Sequence, residues 1–315
     1  MRMLARFGLS VVMAASLLLS GCIYVGDWGE TNAYREDFHS THPLNAGGTV
    51  SVEGFNGAIE ITGWEQNSVE VNGTKYSSTK GGLDAIKVDV SATPGSVRIR
   101  CSKASDLTWH NMGVRISLRV PHKVLLDPVS TSNGKIQVED VEGTARLHTS
   151  NGAIRLGRIK GDIEARTSNG TIEAMDMDGD VRFHTSNGSI RAEATHGPME
   201  ATTSNGGINV RMRDSAGTRP MRLESSNGHI EATIEGGAVP EVRATTSNSS
   251  ILLRLPASAN AQVRASTSHS SITTDFDELS VDRRKRHSEV EGTLGRGGPM
   301  LDLRSSNGAI KILKL

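Results

Sequence analysis

The sequence predicts an all-β protein, a single-stranded β-solenoid (β-helix) of about 18–22-residue coils with an irregular N-terminal β cap. Three observations predict it. The tetrapeptide Thr131-Ser132-Asn133-Gly134 returns with its asparagine at Asn151, Asn169, Asn187 and Asn205, each 18 residues after the last. Echoes follow at Asn227, Asn248 and Asn307, with His269 in the same place and an early copy at Asn56. Counted from each asparagine, apolar residues alternate with polar ones: Ile136, Ile154, Ile172, Ile190, Ile208 and Ile230 at +3, then Val138, Leu156, Ala174, Ala192, Val210 and Ala232 at +5. Finally, no stretch beyond the leader carries helical periodicity, while 34 glycines and only 3% aromatic residues suit many tight turns around a thin core. A fixed period of this length marks a repeat architecture.

One repeat reads as strand, turn, strand, turn. The +3/+5 alternation is the mark of a half-buried strand. A glycine recurs at +10 (Gly143, Gly161, Gly179, Gly197), and a second alternation follows at +12 and +14, as in Ala145 and Leu147 or Val181 and Phe183. Asn-Gly supplies a turn tolerant of positive φ, and the second glycine supplies the other. A single unit cannot bury its apolar face, so units stack at about 4.8 Å per coil, with right-handed winding expected of parallel strands joined by crossovers. Exact stacking predicts two charge ladders: Gln137, Arg155, Glu173, Arg191 at +4, and Arg146, Glu164, Arg182, Glu200 at +13. Opposite charges across strands stabilise.

In chain order, residues 1–21 form a lipoprotein signal peptide. Arg2 and Arg6 precede the apolar run Leu9 to Leu19, which is short for a membrane span. Leu19-Ser20-Gly21-Cys22 resembles a bacterial lipobox, which implies cleavage before Cys22 and lipid on its thiol. Ile23, rather than Asp, next to that cysteine favours the outer membrane by the same resemblance. Residues 22–46 read as a polar, lipidated tether, and 47–129 as an irregular cap or imperfect coils. Residues 130–315 are the solenoid, interrupted by a basic loop at 277–299 and closed by a final coil from Met300 to Leu315. With Cys22 lipidated, Cys101 stands alone within an alternating Val-Arg-Ile-Arg-Cys strand and reads as a small buried hydrophobe.

The TSNGxI repeat, the lipobox and the closing Gly295-Arg296-Gly297-Gly298-Pro299 to Ile312 stretch together resemble the bacterial "putative-adhesin" family of β-strand-repeat lipoproteins, a domain of unknown function. The likeness covers about Gly47 to Leu315. It implies a β-helix at the cell envelope and brings no catalytic residue with it. The chain departs from the motif at Asn248-Ser249-Ser250 and His269-Ser270-Ser271, where the glycine is lost.

Candidate chemistry is sparse. Carboxylates are scattered or belong to the charge ladders, whereas a glycan-cleaving β-helix needs a paired set in a cleft. His148 and His184 share the +15 place two coils apart, roughly 9.6 Å, too far to share one metal ion at about 2 Å per ligand. Asp176-Met177-Asp178-Gly179-Asp180 lacks the calcium-loop pattern of a sixth-place Gly and a distal Glu. No cofactor motif occurs, and a net charge of zero gives no pull on nucleic acid. The expected function is therefore a non-catalytic, lipid-anchored envelope scaffold of adhesin-like or structural type. Thr149, Thr167, Thr185 and Thr203 would offer a flat polar ladder to an envelope glycan or protein. The candidate site residues are Cys22 for lipidation and the turn ladder Asn133, Asn151, Asn169, Asn187, Asn205, Asn227 and Asn307. Arg283, Arg284, Lys285 and Arg286 are the candidate contact with a partner or an anionic surface. Two alternatives are an envelope-sensing or assembly factor that binds a protein through the 277–299 loop, and a carbohydrate-active β-helix enzyme.

Overall fold

A computed structural model of the chain describes residues 34–103, 111–213, 220–282 and 288–315, with backbone alone at 23–25 and for residues 195, 281 and 282. The described residues form two sheets of fourteen strands each. Every full repeat gives one strand to each sheet, so the two sheets share one stack of rungs. The +3 isoleucines lie one above another through Ile136, Ile154, Ile172, Ile190, Ile208, Ile230, Ile251, Ile310 and Ile272. None is more than 1% exposed. Eleven parallel strands in each sheet make eleven rungs, a stack of about 50 Å.

The +10 glycines do take positive φ, from 129° at Gly161 to 146° at Gly197. Gly134 and its successors in the Asn-Gly corner do not, which corrects the expected turn chemistry. Their requirement is room. A Cβ on Gly170 would lie 1.8 Å from the Gly152 carbonyl oxygen of the rung before, and the same conflict recurs at Gly152, Gly188, Gly206 and Gly228. Ser249 and Ser270 hold this place near the C-terminal end, and nothing in the structure explains how their Cβ atoms are accommodated.

A bend inside the first strand went unread in the sequence. Asp140, Arg158, Asp176 and Ala194, all at +7, have φ between 52° and 59°. This left-handed residue takes one step out of the pleat. Val141, Ile159 and Met177 at +8 thereby turn inward, each 2% exposed or less.

The ends differ from the expected layout. At the N-terminal end, Tyr34–Pro43 runs antiparallel to Ser68–Ser77, which runs antiparallel to Met112–Pro121. Residues 34–46 are thus part of the fold and not tether: Phe38 is 7% exposed and Leu44 fully buried. Gly73 makes space for Phe38, whose ring would meet an added Cβ at 2.1 Å. One helical turn, Lys80–Asp84, is capped by Thr79, whose hydroxyl accepts from the Gly82 N–H at 3.1 Å, and it drives Leu83 into the interior. Five residues are too few to show a helical period.

At the C-terminal end, the last stretch of chain is not the last rung. Met300–Ser305 and Ile310–Lys314 lie between the rung of Val242–Thr246 and Ile251–Leu255 and the rung of Ala261–Thr267 and Ile272–Thr274. The N-terminal end does likewise: Thr49–Glu53 and Ile59–Trp64 sit inside the later rung of Ser96–Lys103 and Met112–Pro121. The corner asparagines account for this order. Each donates Nδ2–H to the Oδ1 of the asparagine before it, from Asn133 on Asn56 through to Asn307 on Asn248, at 2.5–2.8 Å. Putting Asn307 directly on Asn248 keeps the ladder whole and leaves the His269 rung outermost. Asn56 closes the other end by donating to the Met112 carbonyl at 3.0 Å.

Candidate functional site

Corner, outer faces and ends are the places where this fold meets its surroundings. The corner has two ladders side by side, and only one is outward. The asparagines are exposed. The threonines expected beside them at the surface are buried, from 0% exposure at Thr149 and Thr185 to 3% at Thr167. Each hydroxyl donates to the glycine carbonyl of the preceding rung, as Thr167 to Gly152 at 2.9 Å. Each also accepts from its own corner glycine, as Gly170 N–H to Thr167 Oγ1 at 3.2 Å. These threonines therefore bind rungs together and offer nothing to a ligand. Parity explains it: they stand at +16, on the inward side with +12 and +14.

Both predicted charge ladders form in register. Arg155 Nε donates to Glu173 at 3.0 Å. Arg158 grips both carboxylate oxygens of Asp140 at 2.6 and 2.8 Å, and that guanidinium holds the Asp140 carboxyl below its ordinary range while the pair raises Arg158. Glu235 raises Arg211 and Asp302 raises Arg304 in the same way. Elsewhere burial is the main cause: it lowers His42, raises Tyr76 and pushes the Cys101 thiol up to about 12. Cys101 is 7% exposed and free. A thiol so protonated is a poor nucleophile.

His148 and His184 face outward in one column with Arg166 between them. In the Asp176–Asp180 segment, Met177 is a core side chain at 1% exposure and Gly179 a positive-φ corner. Among the described residues no three His, Cys, Asp or Glu side chains converge as a metal site. No described helix is long and apolar enough to cross a membrane. Cys22 and Arg283, Arg284, Lys285 and Arg286 lie outside the described residues. The strands flanking the basic run are described: Ser280–Asp282 and Ser288–Leu294 pair antiparallel at the outer edge of the second sheet, at the C-terminal end. Ile23–Val25 pairs with Tyr34–Glu36 at the opposite end of the stack.

These features define an all-β repeat solenoid with charged outer faces. Residues 179–313 match the family described as Toastrack DUF4097, in agreement with the likeness read from the repeat. Solved structures that match the chain include a "putative cell adhesion protein" from Clostridium sporogenes, at 10% identity over 89% of this chain and 100% of that chain, with a TM-score of 0.26. A "putative adhesin" from Bacteroides fragilis has 11% identity over 89% and 97%, with a TM-score of 0.32. Another from Parabacteroides distasonis has 9% identity over 89% and 97%, with a TM-score of 0.36. Likenesses this distant carry no argument about fold or function. No curated protein matches the chain.

Proposed function

We propose that this protein is a non-catalytic, lipid-anchored β-solenoid of the bacterial cell envelope, most simply of the outer membrane, that presents its sheet faces as a binding or structural scaffold. One observation carries the non-catalytic part. The shifted titrating groups are accounted for by the fold itself, through ion pairs at Asp140, Arg158, Arg211 and Arg304 and chiefly through burial at His42, Tyr76 and Cys101. Perturbed groups cluster at active sites, and none of those among the described residues needs a catalytic role to explain it. The anchor rests on Leu19-Ser20-Gly21-Cys22. A lipid there would hold the stack by its N-terminal end. The strands flanking Arg283 to Arg286 are at the other end, which favours a protein or glycan partner over the anchoring bilayer for that run.

The experiment is metabolic palmitate labelling and envelope fractionation of the full chain and of Cys22→Ala, with both assayed on a glycan panel. Wild type should take up label and sediment with outer membranes. Cys22→Ala should take up none and be released, and neither should cleave any glycan. Undiminished labelling of Cys22→Ala would refute the anchor, and turnover of any glycan would refute the scaffold reading.

A further inference from the structure

The +13 column on the outer face of the second sheet alternates in sign and fails once. Its order in register is Arg146, Glu164, Arg182, Glu200, Arg222, Arg243, Asp302, Arg264. Arg222 and Arg243 are like charges on adjacent strands, an arrangement that costs stability. Arg222 turns along its own strand to Glu224, 2.8 Å away. Asp302, the neighbour of Arg243 on its other side, is engaged by Arg304 at 2.8 Å. Arg243 thus has an exposed guanidinium with no ion-pair partner among the described residues. The two arginines open onto a groove of about 360 Å³ whose lining also includes Arg182, Pro198, Pro220, Asp180, Glu200 and Glu241.

We propose that this groove binds an acidic glycan, with its carboxylate or phosphate seated between the Arg222 and Arg243 guanidinium groups. The guanidinium is a planar fork of N–H donors that matches either oxyanion two bonds at a time. Adjacent strands set the two forks about 4.8 Å apart at their roots, close enough to clasp one anionic group. The rest of the lining selects a sugar over a bare ion. Asp180, Glu200 and Glu241 repel a free anion but accept hydrogen bonds from hydroxyls. Pro198 and Pro220 offer flat apolar surface to a pyranose face. The repulsion between Arg222 and Arg243, which the Arg222–Glu224 pair offsets only on one side, is further relieved by the bound anion.

This inference rests on the scaffold reading above and names a ligand class for it. The test measures binding and stability together, with the full chain in detergent. Oligogalacturonate supplies the carboxylate, a phosphorylated oligosaccharide the phosphate, and a neutral oligosaccharide of equal length and inorganic phosphate are the controls. Wild type should bind at least one acidic oligosaccharide at least about tenfold more tightly than either control, the scale of one charge-assisted bidentate contact. The arm that binds identifies the anion. Arg243→Glu removes the like-charge contact with Arg222 but sets a carboxylate beside Asp302, so its unfolding temperature should change little while binding falls about tenfold or more. Arg146→Glu, in the same column and away from the groove, should leave binding unchanged. Full affinity in Arg243→Glu, equal affinity for inorganic phosphate, or binding to neither acidic oligosaccharide would overturn the site. If neither acidic oligosaccharide binds while crosslinking in native envelopes still captures a partner, the groove assignment fails and the scaffold reading stands.

Discussion

Gly170→Ala is expected to destabilise the protein by about 2–3 kcal/mol, whereas Gly157→Ala, thirteen residues away in the sequence, should be neutral or slightly stabilising. The contrast follows from what each new methyl group meets. At Gly170 the Cβ falls 1.8 Å from the Gly152 carbonyl oxygen and 2.4 Å from its carbon. Those are backbone atoms, and that oxygen already accepts from Thr167 at 2.9 Å while Gly170 donates to the same hydroxyl. Relief requires the two rungs to part at the corner, breaking both bonds and the Asn169–Asn151 contact at 2.7 Å. At Gly157 the nearest atom is Glu139 Cγ at 3.6 Å, an ordinary contact with a flexible side chain. Urea unfolding midpoints of both variants decide the matter. Equal midpoints would mean that the rungs do not approach as closely as described.

Ile172→Asp should be more damaging still, at least about 4 kcal/mol, because it places an unpaired carboxylate in an apolar column. Ile172 is fully buried between Ile154 and Ile190. Ile310→Asp should be equally severe. The sequence suggests a milder effect there, since residue 310 lies in the last coil of the chain. In the fold its rung is internal: Ile310 is fully buried between Ile251 and Ile272. Thermal unfolding of the two variants should show matching losses, while Ile172→Val costs only about 0.5–1.5 kcal/mol. A near-native midpoint for Ile310→Asp would place that rung at the open end after all.

The periodic parts of the fold were legible because the side-chain period of a strand and the 18-residue period of the coil are both written in the residues. Isoleucines at +3 and charges at +4 and +13 land where their spacing puts them. The misreadings came where residue character was followed in place of parity. Thr149 is polar, which suggests the surface, although +16 has the parity of +12 and +14. Val141 at +8 breaks the odd parity of +3 and +5, and that break is the only sequence trace of the bend at Asp140. Rung order at the ends was not legible from connectivity, because any repeat can stack on any other. The trace lay in the corner: the His269 rung cannot continue the amide ladder, so the Asn307 rung precedes it. For Tyr34–Pro43, polar composition suggested tether, and only long-range pairing with Ser68–Ser77 makes it a strand. The groove at Arg222 and Arg243 is not legible in the sequence, because the 22-residue spacing from Asn205 to Asn227 breaks the 18-residue period after Glu200.

The central claim is that residues one coil apart in sequence are nearest neighbours in space. Paired cysteines test it most directly. Arg155 and Glu173 are exposed register partners on adjacent strands, whose separation of about 4.8 Å lies within the Cα range of disulfides. In a background lacking Cys22 and Cys101, Arg155→Cys with Glu173→Cys should form a disulfide rapidly and almost completely on mild oxidation. Arg155→Cys with Glu164→Cys, only nine residues apart but on different sheets, should stay reduced. Crosslinking of the second pair in preference to the first, or of both alike, would contradict the stacked solenoid.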